Sequence, residues 1–190
     1  MIITTPISEE VIRSLHVGQI VEVSGSVFTG RDAVHKYIFD GGPCPVDVRG
    51  SVLYHCGPVV VKEKGVWVVK AAGPTTSIRE EPYQADVIRT LGLRGVIGKG
   101  GMGQKTLDAC REYGCVYMHA IGGAAQVLAE VVKEVPGVYL MEKFGSPEAI
   151  WHMRVERFPV VITMDAHGNS LHKEVDQVSR EKLQQLLSQI

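Results

Sequence analysis

Between residues 94 and 132 the sequence switches twice from a short β-rich run to a helical one, and each switch is made at a glycine cluster. Residues 94–97 are strand-like, and 98–103 form a glycine-rich loop. Residues 104–113 then place Leu107 and Cys110 on one helical face, with Gly114 as a stop. Residues 115–121 are strand-like again, and Gly122-Gly123 leads into an apolar helix over 124–132. Strands alternating with helices pair in parallel, because a parallel neighbour needs a crossover of helical length.

The first half has a different rhythm. Residues 20–28 are rich in β-branched side chains, and Gly30-Arg31-Asp32 turns that run into a short helix over 33–39. Short strands are expected at 51–55, 59–62 and 66–71, the last two joined by the turn Glu63-Lys64-Gly65. Helices are expected to start at Ser8-Glu9-Glu10 and near Pro82. Residues 151–156 and 160–165 read as two further strands, His167-Gly168-Asn169 as a turn, and 174–188 as an amphipathic terminal helix. No repeat or low-complexity tract interrupts the chain. Residues 1–190 therefore read as one α/β domain with an antiparallel-rich first half and a parallel second half.

Charge limits the function. With a formal net charge of -1 over 190 residues, nothing favours sequence-independent binding to nucleic acid or to an anionic membrane. An anion site has to come from a local cluster of basic residues. No run approaches the ~20 apolar residues that span a bilayer. Residues 1–10 lack the basic and apolar regions of a secretory signal, so a cytoplasmic location is expected. Cys44, Cys56, Cys110 and Cys115 form no C-x-x-C pair. They read as reduced thiols, without the spacing of iron–sulfur ligands.

The loop Gly98-Lys99-Gly100-Gly101-Met102-Gly103-Gln104-Lys105-Thr106 carries the most information. It fails as a P-loop, because Gln104 intrudes between Gly103 and Lys105-Thr106. It matches G-x-G-x-x-G at Gly98, Gly100 and Gly103. However, the following strand ends in Gly-Gly instead of the acid that would hold a ribose. Two readings stay open. One is an anion site built from backbone N–H groups and Lys99; the other is a tight strand–helix turn with a solvated lysine.

Gly73-Pro74-Thr75-Thr76-Ser77-Ile78-Arg79 sets hydroxyls just before an arginine, whose planar fork suits a carboxylate. In isolation those hydroxyls read better as caps of the following helix. Arg31 alone reads as half of a surface ion pair, and His35 as a packed histidine able to orient a neighbour. Asp165-Ala166-His167-Gly168-Asn169 reads as a turn rather than a metal site. His55, His119 and His152 read as structural.

Taken together, these segments resemble a known family. Gly30-Arg31-Asp32-Ala33-Val34-His35-Lys36, Gly57-Pro58 with Gly73-Pro74-Thr75-Thr76-Ser77-x-Arg79, and Gly98-Lys99-Gly100-Gly101-Met102 look like three of its signatures. His119-Ala120-Ile121-Gly122-Gly123-Ala124-Ala125 and Met164-Asp165-Ala166-His167-Gly168-Asn169-Ser170 complete the match. The pattern is that of the C-terminal domain of class I fumarases, and of the β subunits of split fumarases and L(+)-tartrate dehydratases. One stretch departs from it, at Met141-Glu142-Lys143-Phe144-Gly145-Ser146-Pro147.

The resemblance implies a swivelling three-layer β/β/α domain, with one mainly parallel and one antiparallel sheet layer. It implies a hydro-lyase of two chains, inactive as this chain alone, that hydrates fumarate to L-malate reversibly. L(+)-tartrate dehydration is the alternative substrate reading, and a non-catalytic dicarboxylate-binding module is the alternative in kind. The [4Fe-4S] cluster is expected on a partner α subunit and no metal on this chain. Two β-type chains pairing with each other is a further expectation. Thr75 is implied as the proton-transfer residue, and Arg31, Arg79 and Lys99 as the substrate-binding cations.

Overall fold

The structure is a computed structural model, and it describes residues 1–188. In chain order the elements are β1 (Ile2–Thr4), α1 (Glu9–Arg13), β2 (Ile20–Thr29), α2 (Asp32–Phe39), β3 (Val52–Tyr54), β4 (Val59–Glu63) and β5 (Val66–Ala71). Then come a 3-10 turn (Ser77–Glu80), α3 (Glu81–Leu91), β6 (Gly95–Gly98), α4 (Gln104–Tyr113), β7 (Val116–His119) and α5 (Ala125–Glu130). The chain ends with β8 (Val132–Tyr139), α6 (Met141–Phe144), a second 3-10 turn (Ser146–Glu148), β9 (Ile150–Met164) and α7 (Leu171–Leu187).

β2, β3, β6 and β7 run parallel in that order. β9 pairs antiparallel with β7 on one side and with β2 on the other, which closes the sheet on itself. Closure leaves β2, β3, β6, β7 and β9 paired on both sides, so the open edges of this sheet are confined to β1 and β8. β1 and β8 add to this closed sheet at β2 and β9, and β4 and β5 form a separate antiparallel hairpin. The mixed α/β class is as expected. The expected three layers, however, are not set apart: β9 runs antiparallel within the closed sheet itself, and the separate antiparallel sheet is only the β4–β5 hairpin.

Alternation along the strands divides the core. Val27, Val52, Tyr54, Ile97, Val116, Met118, Trp151 and Met153 point into the closed sheet. Their strand neighbours Phe28, Leu53, Val96 and Tyr117 point outwards, where they meet Val34, Ile38, Val87, Ile88 and Leu107 of α2, α3 and α4. The hairpin lays Trp67 edge-on against Trp151, with ring centroids 5.3 Å apart. A buried aromatic of this kind contributes about 3–5 kcal/mol when compared with alanine. No helix among the described residues is long and apolar enough to cross a membrane.

Two expectations about individual elements needed correction. The two strands read at 151–156 and 160–165 are one strand, β9, bent at Arg157, which adopts φ 56. Its ladder with β2 continues past the bend, with a register shift between Val23 and Gly25. A bulge of this kind bends a strand without ending it. The apolar helix read at 124–132 stops at Glu130, and the chain turns into β8. Pro136 hides that strand in the sequence, and it is tolerated because β8 lies at the edge of the sheet. The Asp165 turn is anchored as expected: its carboxylate accepts N–H bonds from Val17, His167 and Asn169. Burial alone would raise that carboxyl, but those bonds together with the Asn169 side chain hold it below its usual value.

Candidate active site

All four parallel strands deliver their C-terminal ends to one rim, where open α/β sheets and barrels generally place their ligands. The turn after β2 carries Arg31, and the segment after β3 carries His55 to Gly57. The loop after β6 carries Lys99, and the loop after β7 carries Gly122-Gly123. The segment leaving the hairpin is then drawn into the same rim. Thr75 N–H donates to the His55 carbonyl at 2.7 Å, Lys99 N–H donates to the Thr75 carbonyl at 3.3 Å, and Ser77 N–H donates to the Lys99 carbonyl at 3.0 Å. Residues 75–77 thus extend the sheet for a few residues beyond the ends of β3 and β6, as the Thr76–Lys99 bridge also records. A surface hollow lined by Cys44–Arg49 and Thr90–Leu91 lies at the opposite, N-terminal ends of β3 and β6.

Thr75 is the most telling residue on this rim. Its main chain is bonded on both sides, yet its Oγ1 is buried without a hydrogen-bond partner among the described residues. A buried hydroxyl left unbonded costs about 1–3 kcal/mol, so such atoms are rare unless something else uses them.

The cations are held in different ways. Arg31 Nε lies 3.2 Å from Glu148 Oε1, and the Arg31 guanidinium packs so close to Gly57 that a Cβ there would sit 2.6 Å from Nη1. Glu148 also accepts the Ala33 N–H at 3.0 Å, so one carboxylate steadies both Arg31 and the start of α2. Arg79 is half-exposed and lies 3.5 Å from Asp32 Oδ2, a contact too open to be strong. Lys99 forms no ion pair among the described residues, and its Cδ lies near Gly122. Arg31 is therefore held by Glu148 of the second 3-10 turn and Arg79 lies beside Asp32 at the start of α2, while Thr75 and Lys99 are joined through the backbone.

The glycine loop resolves one open reading. Glu81, from α3, occupies the N-terminus of α4: its carboxylate accepts N–H bonds from Gly103 at 2.8 Å and Thr106 at 3.3 Å, and the Thr106 hydroxyl at 2.6 Å. The protein has filled that helix end with its own anion, so a ligand cannot draw on those N–H groups.

Beneath the rim lies a polar network that the sequence did not announce. His35, His55, Ser77 and Gln84 are each fully buried. One amide end of Gln84 reaches His35 Nε2 at 2.9 Å and His55 Nε2 at 2.7 Å. His55 Nδ1 meets Ser77 Oγ at 2.8 Å, and Tyr117 Oη donates to the same Oγ at 2.9 Å. Burial lowers the pKa of both histidines, His55 well below its usual value, where His35 and Arg79 lower it further. Glu80 is also fully buried, with no hydrogen-bond partner for either carboxyl oxygen among the described residues. Burial first, and then Asp32 beside it, push its carboxyl up to about 8. Gln84 carried one signal in the sequence. It stands three and four residues before Val87 and Ile88, on the buried face of α3, where a polar residue needs partners.

Comparison with known proteins fits this geometry. A family model described as Fumarase C-terminus matches residues 1–175. A Geobacillus stearothermophilus protein provisionally named fumarate hydratase class I is 59% identical over 181 residues, covering 95% of this chain but 35% of that protein. A Methanocaldococcus jannaschii protein provisionally named L(+)-tartrate dehydratase subunit beta is 38% identical, covering 93% of each chain. The L(+)-tartrate dehydratase subunit beta of Escherichia coli K12 is 34% identical, covering 100% of this chain and 94% of that one. The chain thus matches about a third of the one relative and nearly all of the two beta subunits. Matched along almost its whole length on both counts, the chain belongs to the fumarase C-terminus family.

Proposed function

We propose that this chain is the β-type half of a two-subunit hydro-lyase that hydrates fumarate to L-malate reversibly. The observation that carries this reading is Thr75: a hydroxyl held rigidly by its backbone, unspent, on the rim that also bears Lys99, Arg79 and Arg31. The name of the Geobacillus relative supports the fumarate reading.

Removing a proton from the carbon beside a carboxylate pushes charge onto that carboxylate. Cations placed in advance lower the barrier, because they need not reorganise as charge develops. Arg31 and Arg79 supply planar donors suited to carboxylates, and Lys99 supplies a point charge. Thr75 Oγ1 is the atom placed to take or return the proton at carbon. A free threonine hydroxyl is a weak base, so it has to act beside a cation, and Lys99 is its backbone neighbour.

This chain's cysteines do not suit an iron–sulfur cluster. Burial pushes the Cys56 thiol up to about 12, and the hydrogen bond with Cys115, then burial, push that of Cys110 well up too, so both sulfurs stay protonated. In this reading a [4Fe-4S] cluster is held by an α subunit, where it supplies a Lewis acid for the leaving hydroxyl. The present chain binds, orients and handles the proton.

The names of the two beta subunits favour a second reading, L(+)-tartrate dehydration. Tartrate offers the same two carboxylates and one more hydroxyl. Anaerobic assay of the chain co-purified with its α subunit decides. Turnover of malate with little of tartrate supports the first reading; the reverse supports the second. No turnover of either, with binding of malate by the chain alone, would favour a non-catalytic module.

A further inference from the structure

The hydrogen atoms of the buried network can be placed one after another. His35 Nδ1 lies 2.9 Å from the carbonyl oxygen of Arg31. A carbonyl only accepts, so Nδ1 carries a hydrogen. His35 is fully buried, which disfavours the charged ring, so Nε2 is bare and must accept. The Gln84 atom 2.9 Å from that Nε2 must therefore donate. A side-chain amide has the same outline either way round, so its orientation follows from its hydrogen bonds rather than from its shape.

With the oxygen, Oε1, facing the rings, two acceptors oppose each other at His35, and the amide Nε2 is a buried donor without a partner. With the NH2 facing them, its two hydrogens serve two rings, because the same atom lies 2.7 Å from His55 Nε2. The end then left unbonded is a carbonyl, which tolerates this better than an N–H does. His55, bare at Nε2 and neutral, carries its hydrogen on Nδ1 and donates to Ser77 Oγ at 2.8 Å. Ser77 in turn sits on the segment whose N–H is bonded to the Lys99 carbonyl.

We propose that Gln84 is a positioning residue that presents its NH2 group to both His35 and His55, and so braces the Arg31 turn and the Thr75–Arg79 segment from below. The bracing runs in one direction. The Arg31 carbonyl sets His35, His35 sets the amide, the amide sets His55, and His55 donates to Ser77. One amide on α3 thus joins α2, which follows the Arg31 turn, to the extension of β3 and β6, which carries Thr75 and Lys99. Its consequence for turnover rests on the proposed function; its hydrogen placement does not.

Nitrogen-15 NMR of the full chain labelled at histidine tests the placement directly. At neutral pH both His35 and His55 should show a protonated Nδ1 and a bare Nε2. A protonated Nε2 in either ring overturns the proposal.

In the complex with the α subunit, Gln84→Met should lower kcat about ten- to a hundredfold with KM within about twofold, the signature of a misplaced group rather than lost binding. An unchanged kcat would overturn the bracing role. A wild-type complex inactive on malate and tartrate counts against the proposed function instead, and leaves the NMR result to judge the placement.

Discussion

Lys99 donates its backbone N–H to the carbonyl of Thr75 at 3.3 Å, while the Thr75 hydroxyl is buried and bonds to nothing. The main chain spends its hydrogen bonds on holding the side chain still, and the side chain is kept free. Because Oγ1 makes no bond within the chain, removing it should cost the fold little. Thr75→Ala is therefore expected to unfold at nearly the wild-type urea concentration and to co-purify with the α subunit normally. Its kcat should fall by about 10²–10⁴, the usual contribution of a positioned proton-transfer group. Wild-type turnover by this variant would remove Thr75 from the chemistry.

Arg79 separates binding from stability in a similar way. Its contact with Asp32 is 3.5 Å long and half-exposed, worth at most about 1 kcal/mol. A charge-assisted bond to a substrate carboxylate is worth about 1.5–3 kcal/mol. Arg79→Met should thus lower kcat/KM roughly ten- to 150-fold, with a small change in unfolding midpoint. Arg31→Met should do both kinds of damage, since it leaves the covered Glu148 carboxylate without its cation. Equal stability losses in the two variants, measured by urea titration, would contradict this division.

Much of the fold was legible because period and punctuation agree in this chain. The helix expected at residues 104–113 is α4 (Gln104–Tyr113), ended by Gly114 at φ 65, which a residue with a Cβ adopts at a cost. Thr75, Arg79 and Lys99 were named only through the resemblance of the glycine- and proline-marked loops that carry them to a family's signatures. What stayed hidden depends on distance along the chain. β8 pairs with a strand that comes later, and its own pattern is broken by Pro136 and Gly137. Gln84 meets His35 and His55 across 49 and 29 residues. Glu81 fills the end of a helix it does not belong to. No local pattern reports contacts of that kind, because each partner looks ordinary until the sheet closes.

Gly98 tests how tightly the network is packed. A Cβ added there would sit 1.8 Å from Ser77 Oγ, 3.1 Å from Tyr117 Oη and 3.2 Å from His55 Nδ1. Ser77 would have to leave, which breaks its bonds with His55 and Tyr117. Gly98→Ala should lose about 1–3 kcal/mol, as overpacked cores do, and the loss should appear in the urea midpoint. Pairing it with Ser77→Gly relieves the clash, so the double variant should recover part of the loss. A double variant as unstable as the sum of both changes would mean that the strain lies elsewhere.

Glu80 gives the fold a pH dependence whose sign can be worked out. An exposed glutamate loses its proton near pH 4.3. In the folded chain burial, and then Asp32, hold the proton on to about 8, against the pull of Arg79. Between those values the folded state binds more protons than the unfolded state, so stability falls as pH rises. The buried histidines work the other way. His35 and His55 have lowered pKa values, so the unfolded state takes up protons first, and stability falls as pH drops below about 6.5. The two effects leave a maximum near pH 6 to 7, with Glu80 carrying the decline from there until the Cys56 and Cys110 thiols, also raised on folding, begin to add to it as the pH approaches about 8. In Glu80→Gln the side chain is neutral at every pH. Its stability should stay nearly level from pH 6.5 to about 7.5 while the acid limb remains. Chemical unfolding at half-unit intervals from pH 5 to about 7.5 measures both limbs, and an alkaline decline undiminished in the variant would show that another group causes it.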